Sequence, residues 1–348
     1  MAVTLDDIAK RSGLSVSTVS RVINKKTKKY RISKKVELLV LKAAKELNYR
    51  PNQLARSLRL KKTQTIGLVA PDISNPFFAQ IIKTIQAGLH QLNYSLVVCD
   101  SDESLELEIE HTNLLFSKGV DGLIVMPVGQ HYSHFQYLLD NGIPVVTVDR
   151  GFDGLRTNMV VIDNHEGAFA AVEHLLRSGH RKIAIIQGLP DTFTSAGRLE
   201  GYKDALRKYG VPVDESLIVG KDFRKENGYI ETKLLLQSPN RPTALFTTSD
   251  LITLGALQAI KEERLEVPRD VSLVAFDDLE SADYFSCPIT AVAQPKEILG
   301  EMAVKILIDE IHDPGKHEPR RIVLKPSLIL RNSVRILSEP ALIGANVA

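Results

Sequence analysis

Five short polar or aromatic groups each follow an apolar run of strand length: Asn75-Pro-Phe-Phe78, Asp149-Arg150, Ser249-Asp250, Asp277 and Gln294. Arg198 stands near the start of a helix pattern that opens after Ile183–Gly188 and its loop. In open α/β sheets a ligand sits in the crevice beyond the carboxyl ends of the strands, so these residues are the first candidates for chemistry. Aromatic faces can stack on the C–H faces of a sugar ring. Planar Arg, Asp, Asn and Gln groups can donate to and accept from its hydroxyls. Each residue also has a plainer reading. Asp149 or Asp277 can cap a turn, Phe77 and Phe78 can be core, and Arg198 can pair with Glu200 or Asp204. Their number at strand ends favours a small-molecule site. Its side chains set Arg150 and Arg198 against Asp149, Asp250 and Asp277, a balance that suits a neutral monosaccharide better than a phosphate. The helix start at Pro76 offers backbone N–H groups to an anion, so a sugar phosphate stays open.

The elements that must position these residues begin at Thr65. Apolar runs at Ile66–Pro71, Leu96–Cys99, Gly122–Pro127, Val145–Asp149, Val160–Asp163, Ile183–Gly188, Ala244–Thr247, Leu273–Asp277 and Ile289–Ala293 alternate with helical stretches such as Phe77–Leu92 and Glu297–Ile311. Continuous apolar strands separated by helices predict parallel sheets buried on both faces. So many strands over this length predict two doubly wound subdomains rather than one.

The first 62 residues are built differently. Ile8 and Ala9 share one face of a short helix that Thr4 can cap. Gly13 supplies a turn, and a second helix starts near Ser15 with Val19, Val22 and Ile23 at core spacing. Two short helices across a glycine read either as a generic helical hairpin or, with the basic segment that follows, as a helix-turn-helix, whose second helix lies in the DNA major groove. Val16, Ser17 and Arg21 then face the bases, with Thr4, Ser15, Thr18 and Asn24 around them. Ser33 can cap a third helix whose Val36, Leu39, Val40, Ala43 and Leu47 close the core. The loop before it, Lys25–Arg31, is strongly basic. Lys28 and Arg31 are expected on phosphates, and Tyr30 either stacks on sugar or packs under the loop.

Charge follows the same division. Residues 1–62 hold 17 Lys+Arg against 4 Asp+Glu, a net of +13, which leaves 27 against 38 and a net of −11 for the rest. A concentrated basic end gains affinity by releasing counterions from DNA, and an acidic body discourages nonspecific wrapping.

The 348-residue length predicts two or three domains, and a hydrophobic share of 44% is ordinary for a globular chain. No apolar run approaches a membrane span, and acids at Asp6 and Asp7 argue against a secretory signal. Only Cys99 and Cys287 are present, far apart, which suits a reducing cytosol better than a disulfide framework. No metal-ligand spacing, phosphate loop or Ser/His/Asp array is visible, so neither a metal nor a cofactor is expected. Asp149 and Asp277 can be imagined as an enzyme's acid/base pair, but a binding network with Arg150 and Arg198 explains them better.

The segments Thr4–Asn24, Asn48-Tyr-Arg-Pro-Asn52, Ile66–Asp72, Asn75-Pro-Phe-Phe78, Gly197–Tyr202 and Val274–Asp278 resemble signatures of the lactose-repressor family of bacterial transcription regulators, to about Arg335. Tyr30–Ser33, Ala244–Ser249 and Cys287–Gln294 are locally similar to the fructose repressor. The resemblance implies a helix-turn-helix headpiece at 1–50 and a hinge helix at 51–63. A core at 64–335 would follow, made of paired lobes of the periplasmic sugar-binding type. One lobe would take about 64–162 and 292–325, the other about 163–291 and 326–335, leaving a tail at 336–348. It further implies that Asn52, Ala55 and Leu58 meet DNA from the hinge, Leu58 wedging into the minor groove. A plain flexible linker is the other reading of that segment. The expected protein is a cytoplasmic homodimer on a palindromic operator, with a sugar or sugar phosphate as effector. It would be a repressor rather than an enzyme, and whether a phosphocarrier protein acts as corepressor is left open. The rival is a periplasmic-type sugar-binding protein without a transcriptional role. The cleft positions also resemble a ribose-binding pattern, except that Ser249 stands where Asn is usual. The tail carries Pro340 and Gly344 and no heptads, so no tetramerising helix is expected.

Overall fold

The computed structural model describes residues 3–49, 62–129, 131–279, 281–316 and 318–337. The chain forms two compact units, Met1–Thr63 and Gln64–Ala348. In the first, Thr4 and Asp7 form a reciprocal capping box at the start of α1 (Leu5–Ser12), and Gly13 closes that helix at φ 66°. Ser15 caps α2 (Val16–Ile23) and Ser33 caps α3 (Lys34–Glu46). Ile8, Val19, Val22, Val40 and Ala43 pack as the headpiece core. Leu39, expected on the inner stripe of α3, is instead 45% exposed, and Ala44 is buried. Val40, Ala43, Ala44 and Leu47 fall at helical spacing on one face, and Leu39 lies about 100° off it.

The second unit contains two six-stranded sheets of the same winding. The first, in spatial order β11-β5-β4-β3-β1-β2, is formed by β1 (Thr65–Ala70), β2 (Ser95–Asp100), β3 (Gly122–Val125), β4 (Val145–Asp149), β5 (Asn158–Ile162) and β11 (Arg321–Leu324). The second, β12-β10-β9-β8-β6-β7, is formed by β6 (Ile183–Ile186), β7 (Ile218–Val219), β8 (Ala244–Thr247), β9 (Ser272–Phe276), β10 (Thr290–Ala293) and β12 (Ser327–Ile329). The ladders are parallel except β10 with β12, an antiparallel edge that apolar patterning did not show. Sequence also missed β7, β11 and β12, each four residues or fewer.

Helices cover both faces of each sheet. On the first, α4 (Pro76–Gln91) and α11 (Lys296–His312) bury Ile81, Ile85, Leu299 and Leu307. The opposite face takes α5 (Leu105–Ser117) and α6 (Ser133–Asp140) through Leu115, Phe135 and Leu138. On the second sheet α7 (Asn164–Arg177) and α8 (Phe193–Lys208) lie on one side, and α9 (Lys225–Gln237) and α10 (Asp250–Glu262) on the other. The expectation of burial on both faces fails at β2, an edge strand whose Val97 and Val98 are exposed. The chain crosses between sheets after Ile162, after Ala293 and between Leu324 and Ser327. The expected switch near 291 falls inside β10, because that strand keeps pairing with β9 through Val292.

Candidate functional site

Each sheet reverses its winding direction beside its first strand, between β1 and β3 in one and between β6 and β8 in the other. Loops at the carboxyl ends of the two sheets face one another across a cleft that opens to solvent. Among the residues singled out from sequence, Asn75, Phe77, Phe78, Asp149 and Arg150 line it from the first lobe. Arg198, Ser249, Asp250 and Asp277 line it from the second.

Asp149 is the last residue of β4 and Asp277 follows the last residue of β9, strands that occupy the same place in the two sheet orders. Both take the left-handed backbone, at φ 65° and 79°, a conformation that Asp tolerates better than most residues. Asp149 is buried, with Oδ2 at 3.8 Å from Arg150 Nε and no hydrogen-bond partner for Oδ1. Burial pushes its pKa up to about 6, against the pull of Arg150 and Arg198. Gln294 does not line the cleft. Its Nε2 donates to Asp277 Oδ1 at 2.5 Å, so it holds a lining residue in place.

Arg150 is held by the first lobe. Its Nη1 and Nη2 donate to the two Glu103 oxygens at 2.9 and 2.8 Å, and Nη1 also reaches the Pro127 and Val128 carbonyls. Its guanidinium lies 4.7 Å from the Phe223 ring centroid, on the other lobe. Arg198 stacks on Phe276 at 3.8 Å while Nε donates to Asn164 Oδ1 at 2.8 Å and Nη1 to the Thr248 carbonyl. The partners considered for it from sequence, Glu200 and Asp204, pair with Arg207 instead.

Three predicted contacts are partly spent on the fold. Asn75 caps α4 by accepting from Phe77 N–H at 2.8 Å, and its amide donates across the cleft to Asp250 Oδ1 at 3.3 Å. Ser249 Oγ accepts from Ile252 N–H, and Asp250 Oδ1 from Leu251 N–H. Burial pushes the Asp250 pKa up to about 6, helped by Asp277. Phe77 and Phe78 meet edge to face at 5.1 Å, and both line the cleft and join the core. The plainer reading and the functional one therefore hold together.

Sequence reasoning missed Asp72, Asp102, Glu103, Thr194, Phe223, Arg224 and Leu251, all of which line the cleft. Asp102 and Glu103 follow β2 and obey the strand-end rule, but Ser101-Asp-Glu-Ser104 reads as an ordinary solvated loop. Phe223 and Arg224 follow β7, a strand of two residues with too little pattern to see. Thr194 sits in the first turn of α8, and its buried Oγ1 has no partner. The lining now counts six acids, Asp72, Asp102, Glu103, Asp149, Asp250 and Asp277, against Arg150, Arg198 and Arg224.

In the first unit Ser15, Val16, Ser17, Arg21, Lys28, Tyr30 and Arg31 are exposed, as is Thr4. Thr18 and Asn24 are half-buried, Asn24 donating back to the Ser20 carbonyl at 2.6 Å. Tyr30 is exposed and makes a contact that the sequence did not show. The Arg21 guanidinium lies over its ring at 4.2 Å, so the loop residue orients the side chain on the reading helix. Asn52, Ala55 and Leu58 lie outside the described residues, as does the tail with Pro340 and Gly344.

Residues 4–52 match the model of bacterial regulatory proteins of the lacI family, and residues 172–334 that of the periplasmic binding protein-like domain. The chain is 38% identical over 334 residues to the HTH-type transcriptional repressor PurR of Escherichia coli, covering 95% of this chain and 96% of that protein. The chain belongs to the lacI family of bacterial regulatory proteins. It is a DNA-binding transcriptional repressor with a ligand-binding core, not an enzyme, and the rival reading as a binding protein without a transcriptional role falls away. Among solved structures it is similar to the lac repressor dimer bound to operator and the anti-inducer ONPF, with a TM-score of 0.85 at 27% identity, covering 96% of this chain and 100% of that one. It is also similar to a lacI-family regulator of Enterococcus faecium with bound ribose, with a TM-score of 0.71 at 30% identity over 79% of this chain and 100% of that one.

Proposed function

We propose that this repressor works as a homodimer on a palindromic operator and that a neutral monosaccharide in the core cleft controls its affinity for DNA. The charge of the cleft carries this reading. Six acids against three arginines repel a phosphate, whereas each acid can accept a sugar hydroxyl. Two of the helix N-termini at the cleft are capped by their own side chains, Asn75 on α4 and Ser249 with Asp250 on α10, whereas α8 and α9 begin without a side-chain cap. Phe77, Phe78 and Phe223 supply ring faces. The buried, unpartnered Asp149 Oδ1 and Thr194 Oγ1 are polar atoms that a hydroxylated ligand can satisfy. The bound ribose of the Enterococcus faecium regulator supports a monosaccharide.

On this reading Val16, Ser17 and Arg21 read bases, with Thr4, Ser15, Thr18, Asn24, Lys28, Tyr30 and Arg31 around them and the hinge residues Asn52, Ala55 and Leu58 completing the contact. The working domains are the headpiece at 1–50, the hinge at 51–63 and the two-lobed core at 64–335. No helix among the described residues is long and apolar enough to cross a membrane, which agrees with a cytoplasmic regulator. Titration calorimetry against paired sugars and sugar phosphates, followed by operator-binding assays with the tightest member, tests the proposal. Binding confined to the phosphorylated members would overturn the neutral-sugar reading.

A further inference from the structure

We infer that Glu103 is the specificity-determining residue that keeps phosphorylated and other anionic ligands out of the cleft, by occupying the hydrogen-bonding edge of Arg150 and cancelling its charge. The inference rests on the neutral-sugar reading and names the side chain responsible for it. Arg150 is the cation best placed for an anion, since it is buried at the end of β4 and its guanidinium reaches Phe223 on the opposite lobe. Two terminal nitrogens of a guanidinium form the fork that recognises a phosphate. Both are engaged by Glu103, at 2.9 and 2.8 Å, and the Pro127 carbonyl takes a further bond at 3.2 Å. The side edge keeps Nε and the second Nη2 hydrogen, and there the Asp149 carboxylate stands 3.8 Å from Nε, so an anion entering that edge meets a negative charge already in place.

Glu103 is held where it stands. It and Asp102 take the left-handed backbone in succession, at φ 53° and 46°. Its N–H donates to the Pro71 carbonyl at 2.8 Å, and the neighbouring Ser101 hydroxyl donates to Ala70. Two non-glycine residues in that conformation cost free energy that the loop retains because the carboxylate is delivered to Arg150. Glu103 itself lines the cleft, so its removal opens the freed edge of Arg150 to whatever the cleft contains. The other lining cations are less well placed for a buried anion, because Arg198 is committed to the second lobe and Arg224 is more than half exposed. Arg198 spends Nε and Nη1 on Asn164 and Thr248, and Arg224 lies 3.6 Å from Asp102 across the lobes.

The experiment uses the full chain and inorganic phosphate as probe, read by calorimetry and by the shift of the core melting transition. The wild-type protein is expected to show no phosphate binding at millimolar concentration. Glu103→Gln is expected to bind phosphate at least about tenfold more tightly than wild type, the gain expected for a charge-assisted pair. Adding Arg150→Met should abolish the gain. Glu103→Ser is the second variant and is read the same way, each variant first shown to melt cooperatively. No gain in either folded variant, or a gain that survives Arg150→Met, overturns the inference. So does a wild-type chain that already binds phosphate as tightly as the variants. The neutral-sugar reading is scored separately, on the wild-type chain with ribose and ribose 5-phosphate, so its failure shows in that arm alone.

Discussion

Replacing Asp149 by Asn should stabilise the core at neutral pH, by an amount that depends on pH. Asn fits the left-handed backbone at φ 65° as well as Asp and keeps the shape of the side chain. What it removes is a buried charge whose pKa stands at about 6 instead of 3.8, because burial outweighs the attraction of Arg150 and Arg198. Between those values the folded protein binds more protons here than the unfolded chain, so stability falls as pH rises through the window. The full contribution is present below pH 3.8 and has been lost once pH exceeds about 6. A shift of about two pH units corresponds to roughly 3 kcal/mol. Arg150 and Arg198 are already included, since their attraction is part of the net shift.

Asp149→Asn should therefore raise the core melting temperature at pH 8 by roughly 6–12 °C, taking about 2–4 °C per kcal/mol for a domain of this size. The difference from the parent should shrink towards zero as pH approaches 4. Scanning calorimetry or circular dichroism of the full chain across that range measures both ends. A variant less stable than the parent at pH 8, or a difference that does not change with pH, would refute the reasoning. The same variant should lose effector response, because its amide cannot accept from a hydroxyl as a carboxylate does.

Arg198→Ala and Asp277→Ala should each abolish the effector's influence on operator binding while leaving operator affinity itself measurable, as a mobility-shift titration with and without sugar would show. Arg21→Ala should flatten preference among operator variants by about 1–3 kcal/mol at one base pair. Tyr30→Ala should do so more weakly, since it removes only the ring that holds Arg21 at 4.2 Å. Equal preference in parent and variants in a competition assay would contradict both. Gly255→Ala should destabilise the second lobe, because the new methyl would fall 2.0 Å from the Lys225 carbonyl oxygen where α9 and α10 cross. An unchanged melting curve would show that the crossing can open without penalty.

The fold was legible where one segment carries its own pattern. The helix-turn-helix declared itself through Gly13 between two apolar faces, and β1, β4, β8 and β9 through continuous, mostly apolar runs that match their burial. Strand-end reasoning then brought nine of ten cleft residues to one place, since in this topology the end of a parallel strand fixes where the next side chain points. It failed where the strand itself is weak. β2 is an exposed edge with mixed burial and β7 has two residues, so the acids after one and the Phe-Arg pair after the other looked like surface. Those are the residues that give the cleft its character. Asp102 and Glu103 belong to one lobe and Phe223 and Arg224 to the other, and no local pattern states that Arg150 will rest between Glu103 and Phe223. A charge balance taken from strand ends alone, two arginines against three acids, leaves phosphate and neutral sugar nearly level. With the loops after the edge strands included, the lining holds six acids against three arginines, with Arg150 already paired to a carboxylate, and the proposal of a neutral ligand rests on that balance.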